Sequence, residues 1–343
     1  MYHQTEHHDT IVSILAYTHT MISDSKEEIV YASAEFGKHA LSCAVTISKS
    51  TKRCRNDEDD EEGRILPPAK LIKRQSSKCE LGNTGRTLVM VSEYREDIFK
   101  YLHQRERAMI PTHNYIQDEE SAHHIEAGVR AILVDWLVEV HQKFKYVQET
   151  LLLALAIMDR FLSESSVSNA KLQLLAVTSL FIAAKFEEIH LPRLSNYAYI
   201  TDGAATAAEI RTAEAYILKC LRFDVSIPSP LNFLTDGNKA DAGVMATARY
   251  ILEYMYCCPH FIQLKPSQTS SLAMRLARAV SSSETQQASD NTVALPQEYK
   301  DLVQEFADPS TSMPALLAKH ESAGSESAHT RISAWCKKHL DEP

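Results

Sequence analysis

The sequence predicts an all-α protein built as two tandem five-helix domains, preceded by a short N-terminal helix and a disordered tail. Three observations lead there. Apolar residues recur at helical spacing from residue 92 to about residue 281, that rhythm is broken once by prolines near residue 228, and the first ninety residues carry charge blocks instead of periodicity.

The tail covers residues 1–91. Lys49–Arg55 is rich in basic residues, Asp57–Glu62 is wholly acidic, and Pro67-Pro68 precede a second basic cluster at Lys70–Arg74. Such blocks repel one another and rarely fold; the basic clusters read either as a solvated linker or as a nuclear-import signal. From Ser92 the pattern turns helical, with Ser92 as a cap, Glu93, Glu96 and Asp97 at the positive helix end, and Tyr94, Ile98 and Leu102 along one side. In Val129–Phe144, Ile132, Leu133, Trp136, Leu137, Val140 and Phe144 form a stripe that must be buried. Arg130 lies beside that stripe and needs a carboxylate, because an unpaired buried charge costs several kcal/mol; Asp159, in the next apolar helix Ile157–Leu162, supplies one. The third helix is apolar nearly all round apart from Gln173, Thr178 and Ser179, which makes it the enclosed central helix. Phe223–Pro230 holds two prolines in three positions, favours extended backbone and marks the junction between domains 92–227 and 228–343. Ser229-Pro230 restarts a helix, as a cap residue followed by proline at the first helical position. Ser281–Asp290 is polar and loop-like, and two shorter helices are expected near Gln297–Phe306 and Thr330–His339.

Composition limits the function. With 343 residues, 44% of them hydrophobic, the chain can bury one or two cores, and its net charge of −9 argues against a protein held on nucleic-acid phosphates. The seven cysteines form no CxxC pair and point to reduced thiols in a cytosolic or nuclear setting; no zinc site is legible. The longest apolar run, Leu151–Met158, is too short to span a bilayer, and no secretion signal is expected. No GxGxxG, P-loop, HExxH or GxSxG motif occurs, and the pairs His7-His8 and His123-His124 read as solvent-facing linker residues. No enzymatic activity, cofactor or metal is expected.

Three stretches in order, Arg130–His141 (RAILVDWLVEVH), Met158–Ser163 (MDRFLS) and Lys171–Glu188 (KLQLLAVTSLFIAAKFEE), resemble the cyclin box, and specifically that of mitotic B-type cyclins. The likeness covers residues 92–281. It implies five helices at roughly 128–145, 148–164, 168–188, 192–199 and 206–222, with Pro111–Tyr115 as the linker ahead of them. Ala248–Glu253 and Pro266–Arg278 look like helices of a second box, a repeat of about 90 residues. Two departures stand out: Thr235-Asp236 replace a usual arginine pair, and no RxxL destruction box occurs in residues 1–90.

The resemblance also implies roles. Arg130 and Asp159 occupy the family's buried ion pair, and Leu174 its core position on the third helix. Lys185 and Glu214 match the lysine and glutamate that hydrogen-bond the kinase partner, with Phe186 and Leu218 as apolar anchors beside them. Val129, Ile132, Leu133, Trp136, Glu139 and Gln173 match a shallow groove for basic-x-Leu peptides of substrates and inhibitors, with Val129 where methionine is usual; read without the resemblance, Ile132, Leu133 and Trp136 are simply core.

The function implied is a regulatory subunit that binds and activates a cyclin-dependent protein kinase at the G2/M transition, in nucleus and cytoplasm, with no nucleic-acid or membrane partner. The kinase would bring ATP and magnesium. The alternative is a transcription-type cyclin or two-box initiation adaptor, which would show a basic second box and often an N-terminal zinc ribbon; a remoter one is an all-helical enzyme.

Overall fold

The computed structural model describes residues 94–235, 240–282, 296–321 and 327–340, and every regular element among them is helical. The expected tail, with its basic clusters, acidic run and His7-His8, lies outside the described residues. From Asp97 onward the described residues belong to one compact unit.

The first helix, α1, is Arg95–Met109. Next come α2 (Ala127–Phe144), α3 (Gln148–Glu164), α4 (Leu172–Glu187, entered through a 3-10 turn at Asn169–Lys171), α5 (Leu194–Ile200) and α6 (Ala207–Cys220). All five lie within a few residues of the expected ranges. The apolar period sets these lengths, and local devices set their ends. Lys145 adopts left-handed backbone at φ 56° and turns the chain sharply after α2. The start of α3 is held by Glu188, which accepts from the Val147 amide at 2.8 Å and the Thr150 hydroxyl at 2.7 Å, so a carboxylate sits at the positive end of that helix. A capping box made by Thr206 and Glu209 starts α6.

Helix α4 is the hub of this half. It packs most extensively on α3 and also touches α6 and α2, and from Leu172 to Ala184 only Leu174 escapes full burial. The expectation that it is enclosed holds, including for Gln173, Thr178 and Ser179. Thr178 satisfies its hydroxyl by donating to the Leu174 carbonyl one turn earlier, at 2.6 Å.

After the extended junction come α7 (Pro230–Thr235), α8 (Ala242–Cys257), a 3-10 turn at Pro259–Phe261, α9 (Pro266–Ser282), α10 (Gln297–Ala307), α11 (Pro314–His320) and α12 (Ala328–Leu340). Ser229 restarts the chain as expected, its hydroxyl accepting from the Leu231 amide at 3.3 Å.

Helix α11 was not expected from sequence. Its seven residues lie across α2. The buried Asp135 accepts from the Ala315 amide at 2.9 Å, and at the other end Lys319 and His320 pair with buried Glu253 of α8. Gln148 of α3 donates to the same carboxylate at 3.0 Å. Burial alone would raise the Glu253 pKa, but the His320 hydrogen bond and the Lys319 charge outweigh it and hold the carboxyl at about 2.

Helix α1 is pinned to both halves. Arg105 clasps Asp224 of the junction with two N–H groups, while Glu106, itself buried, accepts from the amide (2.9 Å) and hydroxyl (2.8 Å) of Ser267 in the first turn of α9.

Candidate functional site

At the heart of the first half, Arg130 of α2 meets Asp159 of α3. Nε and Nη2 donate to the two carboxylate oxygens at 3.1 and 2.8 Å, and the Tyr115 hydroxyl donates to Oδ1 at 2.7 Å. The remaining donor direction is used as well, because Nη1 reaches the Cys257 carbonyl at 2.6 Å, at the end of α8. Arg130 is 1% exposed and Asp159 8%, so neither charge can rely on water. Burial alone would lower the guanidinium pKa; the Asp159 carboxylate more than offsets it and the pKa is raised. The spacing argument for a carboxylate partner is therefore realised in the structure. The bond to Cys257 has no signal in the sequence.

A second pair lies at the surface. Lys185, in the last turn of α4, meets Glu214 of α6 with Nζ 2.6 Å from Oε1. The helices approach there because α4 and α6 share a core contact, and the ammonium also stands 4.3 Å above the centroid of the Phe181 ring. The two residues singled out separately are thus brought together. Lys185 is 46% and Glu214 15% exposed, and a pair this wet contributes on the order of 1 kcal/mol or less to folding.

Exposed apolar side chains lie on the segments that carry this pair and just beyond them. Phe186, next to Lys185, is half exposed and Leu218, one turn beyond Glu214, is half-buried. Sequence reasoning missed three further members. Ile189 follows α4 and is 90% exposed. Phe223 is 70% exposed; its amide donates to the Leu218 carbonyl at 2.7 Å, and Arg222 and Phe223 both adopt positive φ (54° and 58°), turning the ring outward after α6. Asp224 comes next and is held by Arg105 of α1, and Tyr101, one turn before Arg105, is itself exposed. In the sequence Phe223 opens the extended junction after the last helix of the first half, where periodicity carries no signal for how the ring is exposed.

The strip on α2 is different. Val129, Leu133, Trp136 and, on α4, Gln173 are buried; only Ile132 and Glu139 keep partial exposure. Trp136 Nε1 and Gln173 Nε2 are buried donors without an acceptor. Leu174 is half-buried against the core. His123 stacks edge-on against His113 at 5.6 Å, and among the described residues no group of three or more His, Cys, Asp or Glu side chains is placed to hold a metal ion. No helix among the described residues is long and apolar enough to cross a membrane.

Comparison with known proteins agrees with this geometry. Residues 97–226, which span α1 to α6, match the cyclin N-terminal domain. The chain is 41% identical over 263 residues to the S-phase entry cyclin-6 of Saccharomyces cerevisiae, an alignment covering 73% of this chain and 69% of that protein. It is 42% identical over 270 residues to the S-phase entry cyclin-5 of the same yeast, covering 73% of this chain and 61% of that one. The G2/mitotic-specific cyclin CLB2 of Candida albicans is 44% identical over 195 residues, 56% of this chain and 39% of that protein. The likeness to mitotic cyclins read from the motifs is borne out, and the S-phase relatives widen it. With a five-helix core built around the Arg130–Asp159 pair, a domain match across those helices and relatives of this closeness, the chain belongs to the cyclin family.

Proposed function

We propose that this cyclin is the regulatory subunit of a cyclin-dependent protein kinase and that it has no catalytic role of its own. The observation that carries the reading is the preformed Lys185–Glu214 ion pair, with exposed Phe186, Ile189 and Phe223 on or just after the helices that carry it. Contiguous exposed apolar side chains beside fixed charges suit a protein partner, because the apolar area supplies affinity while the charges set orientation. The kinase binds this surface in its active arrangement better than in its inactive one, and that difference in affinity shifts its population. Tyr101 and Ile98 on α1 are exposed too and are assigned to the same docking surface.

The transition controlled is read as G2/M from the B-type motifs. A second reading, entry into S phase, is favoured by the two yeast relatives that match over 73% of the chain. The nucleus and cytoplasm are the proposed compartments. Recruitment of substrates or inhibitors bearing basic-x-Leu peptides is assigned to the α2 strip, where half-buried Ile132 and Glu139 offer an apolar contact and an acid.

The test is to recover the tagged chain from synchronised cells and identify what accompanies it. Recovery of a protein kinase that phosphorylates histone supports the reading, and the phase of peak recovery separates G2/M from S phase. Recovery of promoter DNA or polymerase without a kinase overturns it in favour of an initiation adaptor.

A further inference from the structure

A recess of about 210 Å³ opens in the second half of the chain between α8, the loop after α10, and α12. Tyr254, Thr311, Ser312, Met313, Leu317 and His329 line it. Two features set it apart from an ordinary surface dent. Tyr254 is 2% exposed, yet its hydroxyl has no nitrogen or oxygen partner, and the Thr311 hydroxyl is likewise buried and unpartnered. Buried hydroxyls are satisfied in the great majority of cases, so two orphans at one recess point to a missing occupant. The Tyr254 hydroxyl interacts with the Cys258 thiol, and a thiol is a poor acceptor.

The walls are rigid and neutral. The Tyr254 ring stacks on Phe306, with centroids 4.4 Å apart and planes at 29°, and His329 packs against both. The other face of this cluster is fixed where the Tyr250 hydroxyl bonds His329 Nδ1 at 2.9 Å. Burial lowers the His329 pKa, with Lys337 adding to the effect, so the imidazole is neutral at physiological pH. No carboxylate, ammonium or guanidinium lines the recess. A charged ligand would lose its hydration there without gaining a counterion.

The size selects further. At about 30 Å³ per molecule of liquid water the recess has room for roughly seven waters, far more than two hydroxyls can order. Met313 and Leu317 supply an apolar wall, and the Tyr254 and Thr311 hydroxyls are donors that a carbonyl oxygen can accept from. We propose that this recess is a binding site for a small, neutral, amphipathic molecule that presents a carboxamide to Tyr254 and Thr311 and an apolar body to Met313 and Leu317. The inference does not depend on the kinase-docking reading, because no residue of that surface lines the recess.

The experiment uses the full chain with benzamide as the probe and benzoate, its anionic isostere, as the control, read by ligand-observed NMR titration. Benzamide binds the unmodified chain at least tenfold more tightly than benzoate. Tyr254→Phe and Thr311→Val each weaken benzamide about three- to tenfold, the range expected for one neutral hydrogen bond. Tyr254→Phe keeps the stacked ring, and an unchanged melting temperature shows that the fold is retained. No detectable benzamide binding, equal affinity for benzoate, or benzamide binding indifferent to both substitutions overturns the proposal; the benzoate comparison stands even if a variant misfolds.

Discussion

Arg130 and Asp159 form a two-point pair, 2.8 and 3.1 Å, whose arginine also donates to the Cys257 carbonyl at 2.6 Å. One guanidinium therefore ties α2 to α3 and both to the end of α8. Removing either partner leaves the other charge buried and uncompensated. Asp159→Ala or Arg130→Ala destabilises the chain by about 3–5 kcal/mol, measured by denaturant unfolding, whereas Arg130→Ala combined with Asp159→Ala loses less than the two single changes summed. Additive losses would show that the two residues act independently.

Tyr115 is the third member of that network. Its hydroxyl donates to Asp159 and also accepts from Arg130 Nε at 3.1 Å. Tyr115→Phe keeps the ring and removes only these bonds, with an expected cost of about 1–3 kcal/mol because the carboxylate is charged and buried. A change in unfolding midpoint below measurement error would mean that the hydroxyl contributes nothing to the pair.

The part of this core that is legible in the sequence is the part that periodicity and charge balance can express. A stripe from Ile132 to Phe144 with an arginine beside it requires burial and a carboxylate, and Asp159 was the candidate on the next apolar helix. The Lys185–Glu214 contact spans 29 positions in sequence; each residue could be singled out only through family likeness, and their mutual pairing only by folding. Helix α11 escaped because its stability is tertiary: seven residues held by Asp135 at one end and Glu253 at the other. For the α2 strip, Val129, Leu133 and Trp136 are as buried as their helical spacing implies, and the exposed groove expected from the family is seen in this structure only at Ile132 and Glu139.

His141 gives the fold a pH dependence. It is buried on α2, its Nε2 donates to the Val147 carbonyl at 2.9 Å, and burial together with the nearby Lys319 charge lowers its pKa to about 4. In the unfolded chain its pKa returns to about 6.5. Between those values the unfolded chain binds the proton and the folded chain does not, so stability is full above about pH 6.5 and falls as pH drops towards 4, by up to about 3 kcal/mol from this group. His141→Gln keeps an N–H donor and cannot titrate; its stability curve between pH 7 and 5 is flatter than that of the unmodified chain. Parallel curves would remove His141 as the cause.

A lower window belongs to Glu253. Its folded pKa of about 2 is depressed below the ordinary carboxylate value, so its contribution is present above about pH 4.5 and is lost as pH falls towards 2. Lys319→Met removes one cation from the cluster that holds α11 on α8. The expected result is lower stability at pH 7 and a smaller further loss on acidification to pH 3, followed by circular dichroism. An acid transition identical to that of the unmodified chain would contradict the role given to Lys319.

The most direct test of the kinase-docking surface is the dissociation constant between the purified chain and its co-purified kinase, before and after Lys185→Ala with Glu214→Ala. Loss of charges desolvated at an interface costs about 2–5 kcal/mol, so affinity falls at least about thirtyfold while the melting temperature of the free chain, where this exposed pair contributes little, stays nearly constant. Unchanged affinity in the folded double variant would show that the kinase binds elsewhere.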